Sequence, residues 1–178
     1  MILMINGAFG VGKTTVATKL LEDLDSFMLF DPEEIGFMLR QVIPDEIKTF
    51  DERTDDFQDL KMWRSLTVTV AEQLQKTYGK SLIVPMTIFN KDYFQYIING
   101  FKGIDEKTYH FCLTAKEETI HERLIQRGET EGNWCFQQTE KCLAAFEDTS
   151  FEKFISTDEL SIEEIMKIIR DNVDLISN

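Results

Sequence analysis

The chain has 178 residues, 43% of them apolar, and its 32 acidic against 19 basic side chains give a formal net charge of −13. That length suits one domain with a sizeable core, and an acidic chain without a basic stripe is a poor partner for nucleic acid. The first residues show neither a basic leader nor a long apolar segment, so the expectation is a cytoplasmic protein with no membrane span.

Ile2 to Asn6, "ILMIN", is a short apolar run suited to a buried strand. It leads directly into "GAFGVGKTT", residues 7–15, where Gly7 and Gly12-Lys13-Thr14 fall at the G-x-x-x-x-G-K-[ST] spacing. Small residues let successive backbone N–H groups point into one concavity, and the helix that follows aims its positive dipole end at the same place. The loop Gly7, Ala8, Phe9, Gly10, Val11, Gly12, Lys13, Thr14 and Thr15 is therefore expected to cradle the phosphates of a nucleotide. Lys13 supplies a point charge to the outer phosphates, and the Thr14 hydroxyl is placed to ligate a bridging Mg²⁺. The alternative reading, a plain glycine-rich turn, is weakened by its surroundings: a strand precedes the loop, and Val16, Leu20 and Leu24 mark one face of a helix after it.

"SFMLF", residues 26–30, reads as a second buried strand, followed by a helix opened by Pro32 with two glutamates in its first turn. Asp31 stands just beyond that strand. In a parallel sheet this position shares an edge with the phosphate loop, which makes Asp31 a candidate base or substrate contact; it is also a good helix N-cap, and both roles can coexist. Arg40, ending that helix, is a candidate for holding substrate or for capping the helix C-terminus. Residues 43–59 are polar and weakly periodic, and a helical segment at about 43–66 is expected to form the substrate side of the domain. Leu60, Trp63, Leu66 (or Thr67), Val70 and Leu74 mark a long amphipathic helix ending near Gly79, with Arg64 beside Trp63 as a weaker substrate candidate.

"SLIVPMT" is a third buried strand, "KDYFQYIINGF" a helix and "TYHFCL" a fourth strand. Thr114 and Glu117 have the spacing of a capping box for a helix carrying Ile120 and Leu124. Arg123 and Arg127, four residues apart, emerge on one face of that helix and flank a glycine-bearing loop. Two guanidinium groups there suit adenine stacking and transferring phosphate, as in a short lid at about 127–136; the competing reading is a solvated face paired with Glu117, Glu122 or Glu129. A helix around 137–146, a fifth strand at "FEKFIS" and a last helix with a capping box at Ser161 and Glu164 complete the chain. Cys112, Cys135 and Cys142 have no disulfide or zinc spacing and read as ordinary thiols, and His110 and His121 as structural or surface residues. Strand and helix alternate throughout, and the strands are apolar on both faces. The fold class is α/β with a parallel sheet flanked by helices and ligands at the carboxyl ends of the strands.

"INGAFGVGKT", "DPEEIGFMLR", "DDFQDLKMWR", "LIVPMTIF" and "ERLIQRGE" with Trp134 resemble the tunicamycin-resistance proteins, a branch of the P-loop kinases related to chloramphenicol phosphotransferase, shikimate kinase and adenylate kinase. The resemblance covers nearly the whole chain. It implies a single P-loop kinase-type domain over residues 1–178 with a five-stranded parallel sheet. It also implies that Asp31 contacts the acceptor hydroxyl, that Arg123 lies near adenine and phosphates, that Arg127 is a lid arginine, and that "STDELS", with Thr157 and Asp158, passes the adenine base. The third strand departs from the pattern: it runs into Pro85-Met86-Thr87 where many relatives carry an acidic residue that holds magnesium through water. Thr87 offers only a hydroxyl, and Phe37 and Trp63 offer ring surfaces to an acceptor.

The first functional expectation is a kinase that uses ATP and Mg²⁺ to phosphorylate a hydroxyl of a nucleoside-like antibiotic or similar small molecule. The alternatives are an ATP-holding module that sequesters a drug without transfer, and a nucleotide kinase, disfavoured by the few cations in residues 43–59.

Overall fold

The structure is a computed structural model and describes residues 1–148, 150–151 and 153–173. Its centre is a five-stranded sheet in the order β2-β3-β1-β4-β5, formed by β1 (Ile2–Gly7), β2 (Phe27–Leu29), β3 (Ser81–Met86), β4 (Thr108–Thr114) and β5 (Phe154–Ser156). All pairings are parallel, with Asn6 level with Met86 and Cys112. β1 is buried along its whole length, as its unbroken apolar run requires when helices cover both faces of a sheet. The crossover after β1 leads to β2 on one side of it and the crossover after β3 to β4 on the other side, so the carboxyl end of β1 lies at the topological switch point where ligands enter such sheets.

Seven helices flank the sheet among the described residues: α1 (Lys13–Glu22), α2 (Glu33–Val42), α3 (Lys61–Tyr78), α4 (Lys91–Ile104), α5 (Glu117–Gln126), α6 (Trp134–Ala145) and α7 (Ile162–Asn172). Gly79, at φ 63°, ends α3, and the Ser161–Glu164 capping box opens α7 as its spacing predicts. Between α2 and α3 the polar segment folds into three 3-10 turns, Asp45–Ile47, Phe50–Glu52 and Phe57–Asp59.

Several local expectations are corrected. Of the alternatives Leu66 and Thr67 it is Thr67 that is buried in α3, and the buried stripe is Trp63, Thr67 and Ala71, while Leu66, Val70 and Leu74 are only partly buried against the core. α4 packs along α3 closely enough that a Cβ on Gly100 would fall 2.5 Å from the Val68 side chain. The capping box at 114–117 does not form. Thr114 remains in β4, where its carbonyl accepts from the Thr157 N–H, and Lys116 becomes the N-cap of α5 without a side-chain bond. α6 begins at Trp134 rather than near 137 because the Asn133 side chain accepts from the N–H groups of Cys135 and Phe136. The edge strands β2 and β5 are shorter than their apolar runs; within the run assigned to β5, Glu152 lies outside the described residues.

Candidate functional site: a phosphate cradle and a facing carboxylate

One cleft of about 1330 Å³ opens at the carboxyl ends of the strands. Its nucleotide-side wall is the loop Phe9–Thr15. Gly7 permits that loop because a Cβ there would lie 2.5 Å from the Leu113 carbonyl oxygen of neighbouring β4. Gly12, at φ 106°, turns the chain into α1 without a side-chain cap, so the first N–H groups of the helix are left for a ligand. Gly7 and Ala8 shape the loop from beneath and do not line the cleft.

Lys13 donates to the Ala8 carbonyl at 2.8 Å, and burial lowers its pKa from 10.5 to about 8, with nearby Glu33 opposing the shift. Its Nζ lies 5.5 Å from the Phe9 ring centroid, and Phe9 meets Trp134 edge-on at 5.2 Å, joining the phosphate loop to the start of α6. Arg123 holds the loop to the other wall: Nη1 donates to Thr157 Oγ1 at 2.8 Å and to the Val11 carbonyl at 3.4 Å, and Nη2 to the Thr157 carbonyl at 2.8 Å. Arg127 lines the cleft and pairs with Glu129 at 2.8 Å. Asp158 stands apart from the lining, its carboxylate accepting from the Lys116 N–H. Leu160, within the "STDELS" segment, and Ile162 and Ile165, which the sequence did not single out, supply an apolar wall on this side.

The opposite wall comes from β2, α2 and the 3-10 turns. Asp31 lines it, with one carboxylate oxygen accepting from the Glu33 N–H at 2.9 Å, so the cap and the site-facing position coincide. Glu33, also in the lining, has its pKa raised by burial first and by Asp31 second, against the opposing pull of Lys13 and Arg127. Phe37 and Arg40 reach the same space; the Arg40 guanidinium lies 5.3 Å from the Phe57 ring and donates to the Asp55 carbonyl. The approach of α2 to the third 3-10 turn depends on Gly36, where a Cβ would sit 2.3 Å from the Phe57 ring.

Three other sequence candidates lie behind this wall. Trp63 is 1% exposed and donates from Nε1 to the Pro32 carbonyl at 3.0 Å, fixing the turn that presents Asp31. Arg64 donates to the Gln58 carbonyl at 3.3 Å and stacks 4.0 Å from the Tyr93 centroid. Thr87 is 2% exposed; its carbonyl accepts from Gln58 and its hydroxyl has no partner among the described residues. Gln58, Lys48 and Glu33 are lining residues that the sequence reading did not select. A glutamate in the first turn of a helix is legible as a helix-start signal only, and nothing in a weakly periodic segment marks Gln58 or Lys48.

Asn6, fully buried, explains how the two walls keep register. Its side chain accepts from the N–H groups of Gly7 and Ile88 and donates to the Ile88 carbonyl, all within 2.9 Å, tying the root of the phosphate loop to the exit of β3. No group of three or more His, Cys, Asp or Glu side chains is placed to hold a metal among the described residues. The fit to Mg²⁺ is of another kind: the Thr14 hydroxyl and the Asp31 and Glu33 carboxylates line the cleft that also contains the phosphate loop, a donor set suited to a hard ion delivered with phosphates.

A family model described as an AAA domain matches residues 2–149. The tunicamycin resistance protein of Deinococcus radiodurans is 26% identical, covers 97% of this chain and 95% of its own, and superposes with a TM-score of 0.78. A sugar kinase from Janibacter sp. HTCC2649 (18% identity, 97% and 94% coverage, TM-score 0.62) and a gluconokinase from Sinorhizobium meliloti 1021 (18%, 99% and 97%, 0.60) share the fold. Comparison with curated protein sequences gives no match. The chain belongs to that AAA-domain family and has the P-loop kinase fold, which makes it a nucleotide-binding protein.

Proposed function

We propose that the protein transfers the terminal phosphate of ATP to a hydroxyl of a nucleoside-like small molecule, tunicamycin or a compound of similar shape, acting in the cytoplasm. The observation that carries this reading is that Asp31 and the phosphate loop line one continuous cleft. Transfer of a phosphoryl group needs positioning and charge stabilisation above all. The loop amides and Lys13 hold the phosphates, Arg123 and Arg127 offset charge on their lid side, and Asp31 accepts the proton of the acceptor hydroxyl as it attacks. Leu160 and Ile162 cover the base. Phe37 and Arg40 flank the acceptor, and Trp63, Arg64 and Thr87 act through the wall behind it. Mg²⁺ would be held by the Thr14 hydroxyl together with the phosphates and would neutralise their charge.

A second reading, ATP-dependent sequestration without transfer, draws on the end of the third strand, where Pro85 lines the cleft and many of the kinases this chain resembles carry an acid. Incubation with Mg-ATP and tunicamycin, nucleosides and amino-sugar nucleotides, followed by mass spectrometry, separates the two. A phosphorylated product is expected; tight binding with no product on any compound would favour sequestration.

A further inference from the structure

Gln58 is a glutamine at a position where its two ends can be told apart. It is 8% exposed, and its Nε2 donates to the Thr87 carbonyl at 2.6 Å. A carbonyl can only accept, so the amide nitrogen must face Thr87 and the orientation of the group is fixed. The backbone is held as well: the Gln58 N–H donates to Asp56 at 2.9 Å, and its carbonyl accepts from Arg64. That leaves Oε1. This oxygen accepts no hydrogen bond from the described residues, is not sealed from solvent, and belongs to a residue that lines the cleft.

Thr87 follows β3, Asp31 follows β2, and the two strands are neighbours in the sheet, so Gln58 Oε1 and the Asp31 carboxylate stand at adjacent strand exits. Both groups are acceptors. Two cations that line the same cleft are already engaged, Arg40 by the Asp55 carbonyl and Lys48 by Asp45 at 2.6 Å.

We infer that Gln58 is a specificity residue whose Oε1 accepts a hydrogen bond from a second, non-reacting hydroxyl of the acceptor, so that the acceptor class is a polyol such as a ribose or another sugar. This rests on the kinase reading above. Asp31 takes the reacting hydroxyl and Gln58 a neighbouring one. A compound lacking the second hydroxyl leaves a nearly buried carbonyl oxygen unpaired, and sites built to bond a hydroxyl reject such analogues strongly.

The test uses the full chain with Mg-ATP, uridine and tunicamycin as probes, and the hydroxyl-deleted analogues 2′-deoxyuridine and 3′-deoxyuridine. Binding is read by calorimetry and transfer by mass spectrometry. Wild-type protein should discriminate roughly tenfold or more at one hydroxyl that is not itself phosphorylated. Gln58→Met, close in size and without the amide, should lose that discrimination through KM rather than kcat while keeping ATP affinity within a few-fold. Gln58→Glu keeps an acceptor oxygen and should retain part of the discrimination, which a purely structural role of the Thr87 contact would not produce. Unchanged discrimination in folded Gln58→Met overturns the inference alone. Wild-type protein that neither binds nor phosphorylates any probe overturns the nucleoside-acceptor reading and this inference with it.

Discussion

The two walls of the cleft are built by different means. On the nucleotide side, the phosphate loop is shaped by backbone: glycines at φ 148°, 77° and 106°, uncapped helix N–H groups, and a buried lysine resting on a carbonyl. On the acceptor side, the 3-10 turns and the start of α2 are held largely by side-chain contacts, Gln58 to Thr87, Arg40 to Asp55 and Trp63 to Pro32, and the turns carry Ile47 at 71% and Phe50 at 95% exposure. A surface of backbone dipoles recognises phosphate whatever molecule carries it, whereas a surface of side chains changes its ligand with each substitution. The difference predicts that damage to one wall leaves the other working.

The largest effect is expected at Lys13. Lys13→Ala should weaken ATP binding by roughly 10²-fold or more, because the phosphate charge is left to dipoles alone. Calorimetry on the folded variant checks it, and unchanged affinity would remove the cradle from the account.

Gly36→Ala tests the acceptor wall. Its new Cβ would press on the Phe57 ring, and overpacking of this kind costs about 1–3 kcal/mol. Thermal denaturation should show the loss, with acceptor KM raised and ATP affinity within a few-fold of wild type. A parallel fall in ATP affinity would mean that the walls are coupled.

Trp63→Phe keeps most of the buried surface and removes one bond, leaving the Pro32 carbonyl with the Gly36 N–H alone, a loss of about 1 kcal/mol. A small fall in stability with reduced transfer, measured side by side, would place the effect on the turn that presents Asp31.

The pH dependence sharpens the comparison most finely. Lys13 loses its proton as pH rises through about 8 in the nucleotide-free protein, and bound phosphate favours the protonated form, so ATP affinity should fall above that pH and binding should take up a proton. The same depressed value means that the folded chain binds fewer protons than the unfolded chain between about 8 and 10.5; the contribution of Lys13 to stability therefore rises with pH across that window. Calorimetry in buffers of different ionisation enthalpy reads the uptake. A flat profile from pH 7 to 9 would show that Lys13 stays charged.

The same contrast sets what was legible in the sequence. The sheet and the phosphate loop were readable because their signals are local: a strand, a spaced set of glycines and a helix in immediate succession. Asp31 was readable from its place after a strand. Gln58 was not, since its significance comes from a bond to Thr87, 29 residues away. Trp63 was selected as a ring surface for substrate and lies beneath the wall instead, because burial of a tryptophan with its N–H satisfied is invisible until the Pro32 carbonyl is brought to it. The failed capping box at Thr114 has the same origin, a backbone partner supplied by the distant Thr157.

Asp31→Asn offers the most direct test, with ATP affinity and phosphate transfer measured on one preparation. Asparagine still caps α2, so the fold and the cradle should survive. The account predicts ATP affinity within a few-fold of wild type and transfer to the acceptor reduced by roughly 10²-fold or more, the scale of losing a positioned base. Transfer at the wild-type rate would contradict it and leave Asp31 as a helix cap alone.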